Sequence, residues 1–384
     1  MLPIIKYRLV TIIMSNLVLL LTIDITAGLL YKKINGNAWY YDWKEGPKEK
    51  NLLRIKSNIY HHDLAKNAHE NDSTWGDAIY TTKTNSLGFR DRINRKVPLK
   101  TEKKRLVFIG DSVTEGLGLN YEETFVGLID NALKEEYSVL NAGVTSYSPL
   151  IYWKKIDYLI NKVGLQFDEL IVYLDVSDIQ DEASIYKLND TGVNSGFKGA
   201  ISERTKMLHS QLIKENTILW AWLRSLLKKE KPAMPRKSVF AKKETQTYEN
   251  SINLHRGSWT FDESIYKEYG EKGLKLSAKY MENLLKTLRI HGVKMTLAIY
   301  PWPDQIFHDN VDSKHVVFWE NWAKKNKVAF VNHFIDFFLS KNKVGAIKTI
   351  EKYYIPGDVH LNTKGNILIK EYFLSKYINN KIRL

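Results

Sequence analysis

The sequence predicts an α/β domain, a parallel sheet with helices on both faces, carrying an N-terminal membrane-spanning helix and a helical insertion. Three observations predict this. Short apolar runs alternate with stretches of helical periodicity from Arg105 onward. The chain opens on an apolar run too long for an ordinary core helix. The alternation then breaks between about Glu182 and Ser264 and resumes near Gly273.

The strand and helix signals come in order. Leu106-Val107-Phe108-Ile109 is bounded by charge and by Gly110, as a buried strand would be. Phe125, Leu128, Ile129, Ala132 and Leu133 recur at helical spacing within Glu122–Glu136, and Val139-Leu140 forms the next strand. A helix over Leu150–Lys162 leads to the apolar run Leu170–Leu174. After the break, a helix from Gly273 to Ile290 feeds a strand over Val293–Ile299. A helix over Val316–Asn326 feeds a strand over Val328–Val331, and Gly365–Ile378 is the closing helix. Strand and helix alternating in this way call for parallel pairing with right-handed crossovers.

The remaining segments frame this domain. Residues 1–33 are read as an anchor: Leu9 to Tyr31 supplies the roughly 20 residues a spanning helix needs. Asn16 and Asp24 are its polar defects, with Asp24 near enough to the outer end to reach headgroups. Lys6 and Arg8 on one side nearly balance Lys32 and Lys33 on the other, so an N-inside orientation rests partly on the lack of a second comparable span. A cleaved signal peptide is the alternative, with Ile25-Thr26-Ala27 a poor cleavage site. Residues 34–100 read as a membrane-proximal segment, 101–181 and 265–384 as the α/β domain, and 182–264 as the insertion. Within the insertion, Ser202–Lys229 carries an apolar helical face of Leu208, Leu212, Leu219, Trp222, Leu223 and Leu226, suited to a membrane surface or to a lid.

Composition excludes several chemistries. With no cysteine in 384 residues there is no disulfide, thiolate metal ligand or thiol nucleophile. The net charge of +14 is spread along the chain without a nucleic-acid-reading motif, so no nucleic-acid partner is expected. Neither a metal nor a cofactor is expected. His61 and His62 lack carboxylates at ligand spacing, and His315 and His333 are read as structural.

Gly110-Asp111-Ser112 follows a strand and precedes a helix, at the sheet edge where open α/β folds present ligands. A serine hydroxyl needs a base within hydrogen-bond reach to act as a nucleophile. The turn-rich segment Tyr354-Ile355-Pro356-Gly357-Asp358-Val359-His360-Leu361-Asn362 offers His360, with Asp358 to orient it if a turn brings the two together. Each triplet alone also fits a plain turn or a helix cap.

The block Phe108-Ile109-Gly110-Asp111-Ser112-Val113-Thr114-Glu115-Gly116 resembles the first block of the SGNH, or GDSL-type, hydrolase superfamily. Asn141-Ala142-Gly143 resembles its second block, and Asp358 with His360 its last. The resemblance covers roughly residues 84–180 and 273–380. It implies a three-layer α/β/α sandwich around a five-stranded parallel sheet. It also implies a triad of Ser112, His360 and Asp358, and an oxyanion hole of Ser112 N–H, Gly143 N–H and a side chain from the third block. That third block departs from the family: Asp175-Val176-Ser177-Asp178 puts Ser177 where the family has asparagine, so Asp175 must point away or be paired.

Only Val359 separates Asp358 from His360, a spacing that resembles the alginate and cell-envelope polysaccharide O-acetyltransferase branch. Thr84-Asn85-Ser86-Leu87-Gly88-Phe89-Arg90-Asp91 and Tyr300-Pro301-Trp302-Pro303 resemble segments of exported or anchored members. The expected activity is therefore serine-dependent acyl transfer on O-acetyl groups of an extracytoplasmic polysaccharide, with a membrane-embedded partner donating acetyl. Esterase action on the same triad and a catalytically silent scaffold are the alternatives. Trp302, Asp175 and Asp178 are candidates for substrate contact, Trp302 by stacking on a sugar or else by filling the core wall.

Overall fold

The computed structural model describes residues 2–35, 39, 53–190, 192–195, 216–227 and 248–382. The chain divides into two units, residues 1–51 with 198–239 and residues 52–197 with 240–384. The second unit therefore takes in 182–197 and 240–264, which the sequence had suggested were insertion.

In the first unit, Leu2–Asn35 is one continuous helix. Its Thr11–Asn35 part has a mean hydropathy of 2.0, long and apolar enough to cross a membrane or to serve as a signal sequence. Of the helical reading over Ser202–Lys229, the Leu219–Leu227 helix is described; Leu208 and Leu212 and the side chain of Leu226 lie outside the described residues. Asp24, read as near enough to the outer end to reach headgroups, is buried against residues 218–220.

The second unit begins with two antiparallel hairpins, β1 (Arg54–Ser57) with β2 (His61–Leu64) and β3 (His69–Trp75) with β4 (Ala78–Lys83). The main sheet follows: β5 (Lys104–Gly110), β6 (Tyr137–Asn141) and β7 (Glu169–Leu174). A small hairpin of β8 (Tyr186–Asn189) and β9 (Gly192–Ser195) precedes the last sheet strands, β10 (Lys294–Ile299) and β11 (Ala329–Asn332). The sheet order is β11-β10-β7-β5-β6 and every pair in it is parallel. Helices cover both faces, giving a three-layer α/β/α sandwich.

Strand identity follows from burial on both faces: Leu106, Val107, Phe108, Ile109 and Leu170 to Leu174 are all essentially inaccessible. The helix predicted from Glu122 starts at Phe125, because the Thr124 hydroxyl caps it by accepting from Gly127 N–H at 3.1 Å. It packs on β6 and against the closing helix Thr363–Ile382, while the helices Pro149–Tyr158 and Glu271–Ile290 pack on one another.

The chain leaves β5 to reach β6 on one side, then crosses back to β7 on the other. The carboxyl ends of β5 and β7 thus flank a topological switch point, the crevice where open α/β sheets bind ligands. Ser112 follows β5 and Asp175 follows β7.

Candidate active site

Gly110 ends β5 where no side chain fits: a Cβ would stand 2.2 Å from Thr114 Oγ1 and 2.6 Å from the Tyr173 carbonyl. Asp111 then caps a single helical turn, Ser112–Glu115, its Oδ1 accepting from Ser112 N–H at 2.6 Å. Gly116, at φ 85°, ends that turn in the left-handed conformation. This tight strand–turn–helix passage leaves the Ser112 hydroxyl at the sheet rim.

The candidate base arrives from the far end of the chain. Asp358 N–H closes a turn onto the Ile355 carbonyl at 3.0 Å, with Pro356 second and Gly357, at φ 69°, third, the residue choice of a type II turn. Ile355 N–H donates to the His360 carbonyl at 2.9 Å, locking the loop. Asp358 and His360 thus meet side by side: His360 Nδ1 lies 2.7 Å from Asp358 Oδ1, and His360 Nε2 lies 2.8 Å from Ser112 Oγ. The three residues are 5 to 9% exposed.

The electrostatics suit a base. Burial alone would depress the His360 pKa, but Asp358, with Asp111 and Asp175 behind it, outweighs burial and raises it. Burial would likewise raise Asp358, yet the His360 contact, the Trp75 hydrogen bond and the His360 N–H hold its carboxyl below the usual range.

Trp75, at the end of β3, is a residue that sequence reasoning missed. Its indole Nε1–H donates to Asp358 Oδ2 at 2.5 Å, and its ring meets the His360 ring edge-on at 4.7 Å between centroids. Nothing in the sequence couples two residues 283 positions apart. The Thr84–Asp91 block also gains a role. The buried Arg90 guanidinium donates to the Glu115 carbonyl at 2.7 Å and to those of Gly116 and Leu119, clamping the loop after Ser112. Glu115 is held from another side, accepting from Thr145 N–H at 2.6 Å and from Arg54 Nη2 at 2.6 Å.

The three expected oxyanion donors all have acceptors in this resting arrangement. Ser112 N–H serves Asp111, Gly143 N–H donates to Asn141 Oδ1 at 3.0 Å, and the Ser177 hydroxyl donates to Asp175 Oδ1 at 2.8 Å. Asp175 is indeed paired: its other oxygen takes Tyr300 O–H and the Trp302 Nε1–H at 3.1 Å. Trp302, Asp175 and Asp178 are therefore buried and bonded within the domain, and Trp302 fills the wall instead of offering its ring to a substrate. Asp178 Oδ2 accepts from Tyr152 O–H at 2.8 Å.

Among the described residues, Asp111, Asp175 and Asp178 are the acids that could converge on a cation, each with an oxygen within 4.8 Å of the others. Hydrogen-bond donors already face them. Burial first, and then Asp175 and Asp181, push Asp111 up to about 8, and burial likewise pushes Asp178 well above the usual carboxylate range. His315 and His333 are fully buried and driven down to about 3 by burial, as core residues. His62 is tied to His61 and to the Thr145 carbonyl at 2.8 Å.

Compared with known proteins, the chain matches no family model and no curated sequence. Solved structures similar to it include the psychrotrophic esterase EstA from Pseudoalteromonas sp., at 12% identity and TM-score 0.37 over 73% of this chain and 100% of that one. The acetyl xylan esterase AlAXEase aligns at 14% identity and TM-score 0.38 over 71% and 98%. The acetylxylan esterase Axe2 from Geobacillus stearothermophilus aligns at 10% and 0.39 over 73% and 96%. Likeness at this level concerns the fold and is silent on substrate.

Proposed function

We propose that this protein is a serine-dependent ester hydrolase acting on small acyl esters, acetyl foremost, of an extracytoplasmic polysaccharide. The observation that carries the reading is the continuous relay from Ser112 Oγ through His360 to Asp358, at 2.8 and 2.7 Å. A silent scaffold would have no need of it, and a serine–imidazole gap beyond about 5 Å is what such a protein would tolerate.

In the reaction Ser112 Oγ attacks the ester carbonyl as His360 Nε2 takes its proton. Asp358 stabilises the imidazolium that forms. The tetrahedral oxyanion draws the Ser112 and Gly143 N–H groups away from Asp111 and Asn141. Collapse expels the alkoxide, which takes the proton from His360 and leaves acyl-Ser112. Water, deprotonated by His360, then releases the acid. The low exposure of Ser112 favours a small acyl group.

A second reading is transfer of the acetyl group to a sugar hydroxyl, with a membrane-embedded partner supplying it. The Asp358-Val359-His360 spacing favours this reading. Its chemistry differs only in which nucleophile reaches the acyl-enzyme. In both readings the first helix tethers the domain to the outer face of a membrane.

The test is turnover of a chromogenic acetyl ester, followed by incubation with an oligosaccharide acceptor. Free acetate alone supports hydrolysis, and acetylated sugar supports transfer. Turnover undiminished in Ser112→Ala removes the serine from the mechanism.

A further inference from the structure

Asp24 is the only acidic residue in the apolar run Leu9–Tyr31. It lies seven residues before Tyr31, about 10 Å along the axis at 1.5 Å per residue, so in a spanning helix it would sit within the hydrocarbon. A carboxylate there needs donors from protein. The structure supplies them: Oδ1 accepts from Ile218 N–H at 2.8 Å and Leu219 N–H at 2.7 Å, and Oδ2 accepts from Trp220 N–H at 2.9 Å. These groups open the Leu219–Leu227 helix, whose first N–H groups and positive dipole end have no intrahelical partner.

One turn further along the first helix, Gly28 makes a second contact. A Cβ there would stand 2.4 Å from the Asn216 carbonyl oxygen, so the two backbones touch. Asp24 and Gly28, four residues apart on one face, fix both the depth and the face at which residues 216–220 meet the first helix. Thr217 and Ala221 are buried, at 3 and 1% exposure.

Among the described residues the outer surface of this pair is apolar and exposed. Leu219, Trp220 and Leu223 are 39 to 55% exposed, and a groove of about 930 Å³ runs between Trp220, Leu223 and the first helix at Leu21 and Ile25. It is continuous with the exposed apolar surface of the candidate span.

We propose that residues 216–227 are a membrane-docked element: the Leu219–Leu227 helix sits in the outer leaflet against the first helix, pinned by Asp24, with lipid acyl chains covering Leu219, Trp220 and Leu223. The polar residue that looks like a flaw in the span is then the socket for the insertion. The first helix is consequently retained, because cleavage after Ala27 would part Asp24 from Gly28 and release the insertion. This rests on the anchor reading, and the following experiment separates the two.

The chain has no cysteine, so single probes can be placed cleanly. The full chain is reconstituted in phosphatidylcholine–phosphatidylglycerol vesicles with an environment-sensitive fluorophore on Leu17→Cys, Trp220→Cys or Leu223→Cys, and quenched by doxyl-labelled lipid or aqueous iodide. Doxyl lipid should quench all three. Adding Asp24→Ala should cut quenching at 220 and 223 several-fold and leave position 17 unchanged. Quenching by lipid at 17 but by iodide at 220 and 223 overturns the proposal and leaves the anchor standing, as does indifference to Asp24→Ala. Absence of lipid quenching at 17 overturns both. Concentration-dependent disulfides between copies at 223, with weak lipid quenching, would mean that a second chain covers the groove and would also overturn it.

Discussion

Replacing Trp75 by phenylalanine keeps an aromatic edge against His360 and deletes the one hydrogen bond that Asp358 Oδ2 accepts among the described residues. A hydrogen bond to a charged group is worth about 1.5–3 kcal/mol. Asp358 Oδ1 keeps His360 Nδ1, His360 N–H and Val359 N–H, so the imidazole stays oriented and only part of that energy reaches the transition state. The expected loss in kcat/KM is about tenfold, equivalent to roughly 1.4 kcal/mol. A second signature separates positioning from mere destabilisation. Without the indole donor the Asp358 carboxylate becomes more basic and holds the imidazolium more tightly, so the His360 pKa rises further. Because the proposed mechanism needs neutral His360, the acid limb of the kcat/KM profile should move to higher pH in Trp75→Phe. The assay is chromogenic acetyl-ester hydrolysis across pH 5 to 9, with thermal melts as control. An unchanged rate and an unmoved limb in a folded variant would refute the assigned role of Trp75.

Other perturbations test the surroundings. In the parent, the acid limb should lie above the ordinary histidine value near 6.5, since the net effect of Asp358 is to raise His360; a limb well below it would contradict the electrostatics. Asp111, Asp181 and Glu182 are raised chiefly by burial, to about 8, 6 and 7. Their folded-state pKa values exceed the unfolded ones, so their contribution is full below about pH 4 and is lost as pH climbs towards 8. Urea midpoints should fall across that window, less steeply in Asp111→Asn; identical slopes would remove Asp111 from the explanation. Lys155 is fully buried, 2.8 Å from Asp63, and Lys155→Met should cost about 3–5 kcal/mol by stranding the carboxylate, with partial recovery on adding Asp63→Asn. Arg90→Met should lower the melting temperature by releasing the carbonyls of Glu115, Gly116 and Leu119, at a cost of about 3 kcal/mol; an unaltered melt would show that the clamp is dispensable.

The main sheet was legible because parallel strands buried on both faces are written as apolar runs. Leu106–Ile109, Val139-Leu140, Leu170–Leu174, Val293–Ile299 and Val328–Val331 all fall within a residue of observed strands. The hairpins of β1 to β4 were not legible. His69–Trp75 is polar along most of its length, with Ser73 its sole buried residue, so no alternation announces it. For the same reason Trp75 was invisible as a partner of Asp358, and its role emerges only where β3 meets the last loop. The helices Phe334–Val344 and Ala346–Tyr353 were also missed, their apolar residues crowding the segment before the last block without a clear boundary.

At the site, Ser112, Asp358 and His360 could be named as candidates because short blocks around them, set off by turn residues, carry the family resemblance. What surrounds them could not. Ser177 was read as a donor towards substrate, yet its hydroxyl faces Asp175, and Trp302 was weighed as a sugar platform, yet it is 4% exposed. Both depend on which way a buried side chain turns, which no local pattern encodes. Asp24 shows the reverse: a polar flaw in an apolar run whose meaning lies in a segment 194 residues away.

The meeting of the Ser112 hydroxyl with His360 is tested most directly by intact-protein mass spectrometry after exposure to a serine-reactive phosphonate. The account predicts one adduct per chain, mapped to Ser112, absent in Ser112→Ala and formed far more slowly in His360→Ala. No adduct on the folded parent, or one that forms equally fast without His360, would contradict it.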